Sequence, residues 1–322
     1  MGKPLILTGD VLTKLRRISS SSVHCIVTSP PYWGLRDYGV KGQLGLEGTP
    51  EAYIEKLVDV FRELRRVLRA DGTLWLNMGD GYASSGSGGP HSGLKELAQK
   101  WDPRKKLRRS NRAQDEIVYP KKRVPRGFKT KDLIGMPWRL ALALQADGWY
   151  LRTDIIWHKP NPMPESVRDR PTRSHEYIFL LTKNGRYFYD HKAVMEPVSG
   201  NSHARGKGVN PKARTSGAAG RVKQNASFSA AVAGLVDKRN RRTVWTVNTK
   251  CFRGAHFATF PPKLIEPCIA AGCPPRGLVL DPFAGAGTTG VVAVSQGKRF
   301  VGIELNPEYA RMARKRLARV EK

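Results

Sequence analysis

The stretch Leu278-Val-Leu-Asp281-Pro-Phe-Ala-Gly285-Ala-Gly287-Thr-Thr-Gly290 lies near the C-terminus and decides the fold. Its apolar start predicts a buried parallel strand that ends at Asp281. The three glycines stand in G-x-G-x-x-G spacing, which predicts a sharp turn into a helix. The first two let the backbone turn and approach a ligand, and the third lets the helix pack closely on the strand. This pattern predicts a nucleotide or nucleoside site.

A second predicted strand, residues 299–304, ends in Glu304, 19 residues after Gly285. A carboxylate at this place can accept hydrogen bonds from a ribose. Dinucleotide-binding folds share the pattern, so an NAD-dependent oxidoreductase is an alternative. Against it, an Asp directly precedes the turn and Pro-Phe occupies its first positions. The motif also comes last in the chain, whereas dinucleotide folds usually begin with it.

The charge of the chain indicates a polyanionic partner. The 322 residues include 56 Lys and Arg against 27 Asp and Glu, a formal net charge of +29. Basic side chains displace counterions from phosphate backbones, which favours nucleic acid. No amphipathic basic helix, signal peptide or apolar run of membrane-spanning length stands out, so we expect no membrane association.

The four cysteines indicate a reducing compartment. Cys25, Cys251, Cys268 and Cys273 lie in apolar surroundings without C-x-x-C spacing or a nearby histidine cluster. We therefore expect reduced core thiols, a cytoplasmic location and no metal site. His158 and His175, 17 residues apart, are interpreted as a surface or phosphate-contacting pair.

A second motif follows an early predicted strand, residues 23–27, and reads Thr28-Ser29-Pro30-Pro31-Tyr32-Trp33. Two prolines directly after a buried strand cannot continue a ladder or a helix, so they predict a rigid loop at the strand end. A plain strand terminator would explain the prolines. It would not explain the polar Ser29 and the aromatic pair beside it, which favour a binding platform.

Together, Ser29-Pro-Pro-Tyr32 and Asp281-Pro-Phe-Ala-Gly-Ala-Gly-Thr-Thr resemble the paired signatures of the DNA amino-methyltransferases, which use S-adenosylmethionine. With the tetrapeptide first and the glycine turn last, the order resembles the permuted β group. The resemblance implies an α/β fold with a doubly wound, mostly parallel, seven-stranded Rossmann-like sheet, interrupted by basic insertions. A non-catalytic DNA-binding protein would leave the glycine turn unexplained.

The resemblance also implies residue roles. The Ser29 hydroxyl and the Pro30 carbonyl accept the amino hydrogens of a flipped base, in a loop stiffened by Pro31, and Tyr32 stacks on its ring. Asp281 and the turn Phe283–Gly287 hold the methionine part of the cofactor, Glu304 the ribose, and Asp10 the adenine amino group. The full expected cofactor set is Asp10, Phe260, Lys263, Asp281, Pro282, Phe283, Ala284, Gly285, Gly287, Thr288 and Glu304.

Two basic stretches are the expected insertions. Residues 104–131 carry twelve basic side chains against two acids, and residues 197–242 carry ten with almost no acids. Each is either a solvated loop or a DNA-contacting segment that orders on binding, and we favour the combination. We expect catalytic parts at 1–196 (with an insertion near 82–131) and 245–322, and a target-recognition region at 197–244. The expected DNA contacts are Arg36, Lys159, Arg205, Lys207, Arg214 and Arg221.

The remaining pattern predicts an alternation of helices and strands. The expected strands are 5–10, 23–27, 73–78, 149–157, 176–182, 187–189, 278–280 and 299–304, and the expected helices are 11–18, 50–68, 137–145, 263–271 and 307–320, with a further helix from Val291.

The target atom follows from the resemblance alone. A serine at the first position of the tetrapeptide, after Val-Thr, is the commoner arrangement for cytosine-N4, and a carboxylate is commoner for adenine-N6. We therefore favour cytosine-N4 and keep adenine-N6 as the alternative. Double-stranded DNA is the expected partner; the resemblance adds a second copy of the chain and a cognate restriction endonuclease as candidate partners.

Overall fold

The computed structural model describes residues 3–83, 124–197, 238–249 and 260–320. Most of the predicted insertion at 82–131 lies outside these ranges. So do four expected DNA contacts: Arg205, Lys207, Arg214 and Arg221. The chain divides into two compact units, residues 1–190 with 243–322 and residues 191–242.

Strands and helices alternate along the larger unit. Its strands are β1 (Leu5–Thr8), β2 (Val23–Thr28), β3 (Leu68–Met78), β4 (Tyr150–His158), β5 (His175–Thr182), β8 (Val244–Thr246), β9 (Leu278–Asp281) and β10 (Arg299–Glu304); β6 (Glu196–Pro197) and β7 (Lys238–Arg239) belong to the smaller unit. The helices are α1 (Val11–Leu15), α2 (Pro50–Val67), α3 (Met136–Ala146), α4 (Pro262–Gly272), α5 (Thr288–Ser295) and α6 (Pro307–Val320).

The main sheet has the order β1-β10-β9-β2-β3-β5-β4-β8. Its neighbours pair in parallel except along β5, which is antiparallel to both β3 and β4. The C-terminal pair β9–β10 lies between β1 and β2, which confirms the predicted permuted arrangement. Because parallel strands end at the same edge, the carboxyl ends of β2 and β9 meet there.

Three expectations about elements were wrong. The sheet contains eight strands rather than seven, because β8 adds to the edge beside β4. Residues 187–189 form no strand, since the Phe188 and Asp190 N–H groups donate to the carbonyls of Asp71 and Ala271, outside any ladder. Helix α1 ends at Leu15 and not at residue 18, because the next residues close tight i−3 bonds.

The helix α2 shows how the pattern specifies its element. Thr49 caps its first turn by accepting a hydrogen bond from the Ala52 N–H, and Pro50 occupies the first position, where a missing N–H costs nothing. The apolar stripe of this helix is buried: Tyr53, Leu57, Val60, Phe61 and Leu64. It packs with β2 and β3 into the main core, so the sheet ends that carry both motifs are held on a rigid base.

In the smaller unit, the described residues form a turn and a two-stranded ribbon. A 3₁₀ turn at Lys192–Val194 leads into β6, which pairs antiparallel with β7. Glu196 accepts hydrogen bonds from Arg239 and Arg242. Most of the predicted recognition region, 197–244, lies outside the described residues, so the domain assignment stays a prediction.

Candidate active site

One hydrogen bond joins the two sequence motifs. The Thr28 hydroxyl at the end of β2 donates to Asp281 Oδ1 at the end of β9, at 2.8 Å. Both side chains are buried, and their strands are neighbours in the sheet. Ser29 follows Thr28 directly, so the tetrapeptide begins beside the glycine turn. Residues from both motifs line one pocket.

Asp281 is a buried carboxylate whose oxygens are satisfied by the protein. Oδ1 also accepts from the Phe283 N–H at 3.0 Å, and Oδ2 accepts from the Thr289 hydroxyl at 2.6 Å. Burial raises the pKa of Asp281 to about 6, although these hydrogen bonds and the one from Thr28 act in the opposite direction. The side chain therefore fixes the turn and brings a negative charge close to the pocket.

The glycine turn is held from the next strand by Glu304. The Gly285 N–H donates to Glu304 Oε2 at 2.7 Å, and the Asn306 N–H donates to Oε1 at 2.8 Å. Burial raises the pKa of the Glu304 carboxyl. Each carboxylate oxygen has a second lone pair, so Glu304 can still accept a hydroxyl from a ligand.

The three glycines of the turn have different surroundings. Gly285 has φ +50°, and a Cβ there would meet no protein atom within 4 Å, so its open side belongs to the pocket. At Gly287, with φ +78°, a Cβ would lie 2.9 Å from the Ala313 Cβ on α6. Gly287 therefore allows α6 to pack closely on the turn, and its expected role in cofactor binding stays a prediction. A Cβ at Gly290 would lie 2.5 Å from Phe300, which confirms the predicted close packing of helix and strand.

Helix α6 supports the turn through one of its arginines. The Arg316 guanidinium donates to the Ala286 carbonyl at 2.6 Å and the Thr288 hydroxyl at 3.2 Å. Arg314 donates to the Ile6 carbonyl and the Thr8 hydroxyl. Arg316 is half-buried, whereas Arg311, Arg314 and Arg319 are exposed, a difference that sequence spacing could not show.

Asp10 enters the pocket from the first strand. It caps α1, and its Oδ1 accepts from the Thr13 N–H and hydroxyl at 2.8 Å each. The preceding Gly9 N–H donates to the Glu304 carbonyl, which brings the ends of β1 and β10 together. Asp10 and Glu304 thus line the same pocket.

The tetrapeptide is positioned by contacts on both sides. The Tyr53 hydroxyl of α2 donates to the Pro31 carbonyl at 2.6 Å. The Tyr32 hydroxyl donates to Glu176 Oε2 at 2.8 Å, and the Ser29 hydroxyl donates to the Tyr32 oxygen at 3.4 Å. Burial, and then the charge of Glu176, raise the pKa of Tyr32 well above its usual value, so its hydroxyl keeps its proton.

Glu176 stands at the start of β5 and has further partners. Because β5 runs antiparallel, its amino end lies at the edge where β2 and β3 end. Asn77 Nδ2 donates to Oε2 at 3.2 Å, and the Lys159 ammonium pairs with Oε1. Lys159, an expected DNA contact, also lies over the Trp157 ring, 4.3 Å from its centroid. The Lys159 side chain is only 18% exposed, because it packs between Glu176 and Trp157.

The pocket collects most of the predicted site residues: Asp10, Ser29, Pro30, Pro31, Tyr32, Arg36, Phe260, Asp281, Pro282, Phe283, Ala284, Gly285, Thr288 and Glu304. Arg36, which was expected as a DNA contact, therefore lines the pocket. Lys263 and Gly287 are not among the lining residues. Lys263 lies on the first turn of α4.

Most residues of one wall of the pocket were not predicted from the sequence. The loop after the tetrapeptide contributes Leu35, Tyr38, Val40, Gln43 and Leu44. The sequence carried a signal for this loop in its four glycines, Gly34, Gly39, Gly42 and Gly45, and all four have positive φ in the structure. A second pocket lies along Tyr32 and Trp33 and is also lined by the residues that follow β3, 79–83.

The residues present fit S-adenosylmethionine. The open side of Gly285 gives backbone approach without a clashing Cβ. Two carboxylates, Asp10 and Glu304, supply acceptors for amino and hydroxyl groups, and Phe283 and Ile303 supply apolar surface for a purine.

Three negative observations concern only the parts of the chain that the structure describes. No helix there is long and apolar enough to span a membrane. No group of three potential metal ligands occurs there, and His158 and His175 face each other as strand partners. Cys25, Cys268 and Cys273 are buried free thiols.

Comparison with known proteins identifies DNA methyltransferases, in agreement with a pocket whose residues fit S-adenosylmethionine. A family model of DNA methylases, the N6/N4 methyltransferases, matches residues 23–315. The type II methyltransferase M.Cfr9I of Citrobacter freundii is 51% identical, over 97% of this chain and 87% of the relative. M.XycI of Xanthomonas campestris pv. cyanopsidis is 49% identical, over 98% of this chain and 90% of the relative.

Solved structures share the fold. The PvuII DNA methyltransferase, described as cytosine-N4-specific, superposes with a TM-score of 0.61 at 16% identity, covering 99% of this chain and 92% of that one. A putative DNA modification methylase from Thermus thermophilus, solved with S-adenosylmethionine, gives 0.55 at 24% identity, covering 98% and 94%. The family match rules out the hydride-transfer alternative. The chain belongs to the S-adenosylmethionine-dependent N6/N4 DNA methylases.

Proposed function

We propose that this enzyme transfers a methyl group from S-adenosylmethionine to the exocyclic amino group of a base flipped out of duplex DNA, with the N4 atom of cytosine as its target. The observation that carries the proposal is the Thr28–Asp281 hydrogen bond. It fixes the start of the Ser29-Pro-Pro-Tyr32 platform beside the glycine turn. Methyl transfer requires such adjacency, because the donor and the acceptor must be in near contact and in line.

The tetrapeptide is suited to activate an amino group. The lone pair of an exocyclic amine is delocalised into the ring, so the amine is a poor nucleophile. The Ser29 hydroxyl and the Pro30 carbonyl are suited to accept its two hydrogens, which favours a pyramidal nitrogen. The Tyr53 hydroxyl holds the next carbonyl, that of Pro31, at 2.6 Å. The acceptors are therefore preorganised.

The cofactor side of the pocket divides into polar and apolar parts. When bound, S-adenosylmethionine supplies an electrophilic methyl group on a cationic sulfur. Asp281 places its buried carboxylate charge beside the pocket, which favours a cationic ligand. Glu304 is placed to accept the ribose hydroxyls, and Asp10 to accept from the adenine amino group. The methionine end is assigned to the turn Phe283–Gly287, most of which lines the pocket together with Phe260.

The target base is assigned to the other side of the tetrapeptide. Tyr32 offers its ring for stacking while its hydroxyl is fixed by Glu176. The second pocket extends along Tyr32 and Trp33, so an extruded base has room beside the platform. No cysteine nucleophile is required for transfer to an amino group. Cys25 is a fully buried thiol whose pKa is raised well above its usual value by that burial.

The DNA interface is assigned to the basic segments. The net charge of +29 supports binding through phosphates. Within the proposed domain plan, residues 197–244 recognise the target sequence, with Arg205, Lys207, Arg214 and Arg221 as phosphate contacts. Lys159 and Arg36 are placed at the site, because Lys159 pairs with Glu176 and Arg36 lines the pocket. We keep a second copy of the chain and, since the relatives are type II methyltransferases, a restriction endonuclease as proposed partners. The three buried free thiols fit the proposed cytoplasmic location.

Cytosine-N4 is preferred to adenine-N6 because of the serine at the head of the tetrapeptide. Mass spectrometry of nucleosides tests this choice. DNA incubated with the enzyme and S-adenosylmethionine should yield N4-methylcytosine. N6-methyladenine as the sole product would refute the cytosine assignment and leave amino methylation intact, and the absence of both would refute the function.

A further inference from the structure

Methylation of a neutral amino group releases one of its two protons. As the N–C bond forms, one N–H bond of the amino group must break, and its proton must reach an acceptor. In the function proposed above, the Ser29 hydroxyl and the Pro30 carbonyl accept the hydrogens of the amino group. A carbonyl cannot pass a proton onward, whereas a hydroxyl can accept one and release its own.

The Ser29 hydroxyl already points along a chain of donors. Its proton is directed at the Tyr32 oxygen, 3.4 Å away, and the Tyr32 proton is directed at Glu176 Oε2, 2.8 Å away. The first distance is long for an O–H···O bond, but such bonds commonly tighten only when substrate is bound. The two bonds therefore form one chain that ends at the Glu176 carboxylate.

We propose, on the basis of the function proposed above, that Ser29, Tyr32 and Glu176 form a proton relay from the substrate amino group to a carboxylate. The amino proton passes to Ser29 Oγ, the Ser29 proton passes to Tyr32 Oη, and the Tyr32 proton passes to Glu176 Oε2. The N–C bond forms as the bond between the methyl group and the sulfonium sulfur breaks, so the products are a neutral methylated amine, neutral S-adenosylhomocysteine and a protonated Glu176.

The surroundings of Glu176 suit a terminal acceptor. The Lys159 ammonium occupies Oε1, which leaves Oε2 to Tyr32 and to Asn77. Asn77 is itself fixed by a bond to the Tyr177 carbonyl at 3.0 Å. The Glu176 side chain is 17% exposed, so solvent can remove the proton after each turnover.

The backbone at Gly79 packs directly against the Tyr32 and Glu176 side chains. A Cβ at Gly79 would lie 2.9 Å from the Tyr32 ring and 3.1 Å from the Glu176 carboxyl carbon. The glycine therefore permits the tyrosine and the glutamate to meet. Burial and the charge of Glu176 raise the pKa of Tyr32, which keeps its hydroxyl protonated and able to donate.

A different role for the same contacts is purely structural: Glu176 would only hold the Tyr32 ring in its stacking position. Two variants separate the roles. Tyr32→Phe keeps the ring and removes the hydroxyl, and Glu176→Gln keeps the size of the side chain and removes the proton acceptor. Glu63→Gln on α2, where the glutamate pairs with Arg66, is the matched control.

The test is single-turnover methylation in H₂O and in mixtures with D₂O, alongside calorimetric binding of the cofactor and of DNA. We expect both relay variants to lose about 100-fold or more in the methylation rate constant while binding is retained. The wild type should show a solvent isotope effect with a curved dependence on D₂O content, and Tyr32→Phe should lose the curvature. Glu63→Gln should match the wild type.

A readout without cofactor or DNA completes the test. With ¹³Cζ-labelled tyrosine, the NMR titration of Tyr32, assigned by comparison with Tyr32→Phe, should shift to lower pH in Glu176→Gln, because a negative charge is removed. Relay variants that methylate at the wild-type rate, a wild type without a solvent isotope effect, or an unshifted Tyr32 titration would each overturn the relay. A wild type that methylates no base would instead refute the proposed function.

Discussion

Thr28 donates its hydroxyl proton to Asp281 across 253 residues of sequence, at a distance of 2.8 Å and with both side chains buried. The bond holds the end of the base-binding strand β2 against the end of the cofactor-binding strand β9. It also gives the buried Asp281 carboxylate one of its three protein donors.

Removing that donor should destabilise the enzyme. Thr28→Val keeps the shape of the side chain but leaves a buried carboxylate short of a partner, which costs about 1–3 kcal/mol. Urea unfolding measures the loss, and Thr28→Ser, which keeps the hydroxyl, is the control. A valine variant more stable than the serine variant would show that the bond does not support the fold.

Cofactor binding should weaken at acidic pH. Burial raises the pKa of Asp281 from 3.8 to about 6. The carboxyl is therefore charged at neutral pH and becomes neutral as the pH falls through about 6, which removes a negative charge beside a cationic ligand. Calorimetry between about pH 5 and about pH 8 should show this loss of affinity.

The variant Asp281→Asn should bind more weakly at neutral pH and should lack the pH dependence. The carboxyl of Glu304 also has a raised pKa and lines the same pocket, so Glu304→Gln serves as the comparison. If Glu304→Gln flattens the profile and Asp281→Asn does not, the titrating group has been assigned to the wrong residue.

Alanine substitutions in the glycine turn should separate stability from binding. At Gly290 the added Cβ would lie 2.5 Å from Phe300, so the cost should be about 1–3 kcal/mol of unfolding free energy. At Gly285 the positive φ costs about 1–2 kcal/mol, and the Cβ would also occupy space that belongs to the pocket. Gly285→Ala should therefore weaken cofactor binding more than Gly290→Ala does. Calorimetry and urea unfolding of both variants decide, and the reverse order would contradict the assigned roles.

DNA affinity should depend steeply on salt. A chain with net charge +29 that binds through phosphates should lose affinity with a log–log slope of about −0.9 for each phosphate contact. Fluorescence anisotropy over a range of KCl concentrations gives the slope. Replacing the basic residues of 197–242 by glutamine should reduce it, and an unchanged slope would remove that segment from the interface.

The close approach of the two motifs could be predicted because parallel strands end at one edge of a sheet. Ser29 follows one apolar strand and Asp281 ends another. The two residues are close because these strands are neighbours in the sheet. The glycine spacing likewise predicted the turn, although it could not show that Gly287 packs against Ala313. That detail depends on where α6 packs.

Glu176 could not have been found in this way. It lies 144 residues from Tyr32 and reaches it only because β5 runs antiparallel beside β3. The sequence around Glu176 contains no signal for that direction. Arg316 presents the same difficulty, since its contact with the Ala286 carbonyl depends on the rotation of α6 about its axis.

The most direct test of the account compares methyl transfer and cofactor binding in Ser29→Ala. If the end of β2 activates the amino group while the end of β9 holds the cofactor, single-turnover methylation should fall by about 100-fold or more. Calorimetric affinity for S-adenosylmethionine should stay close to that of the wild type. Full methylation by Ser29→Ala, or a loss of cofactor affinity as large as the loss of rate, would contradict the division of the site between these two strand ends.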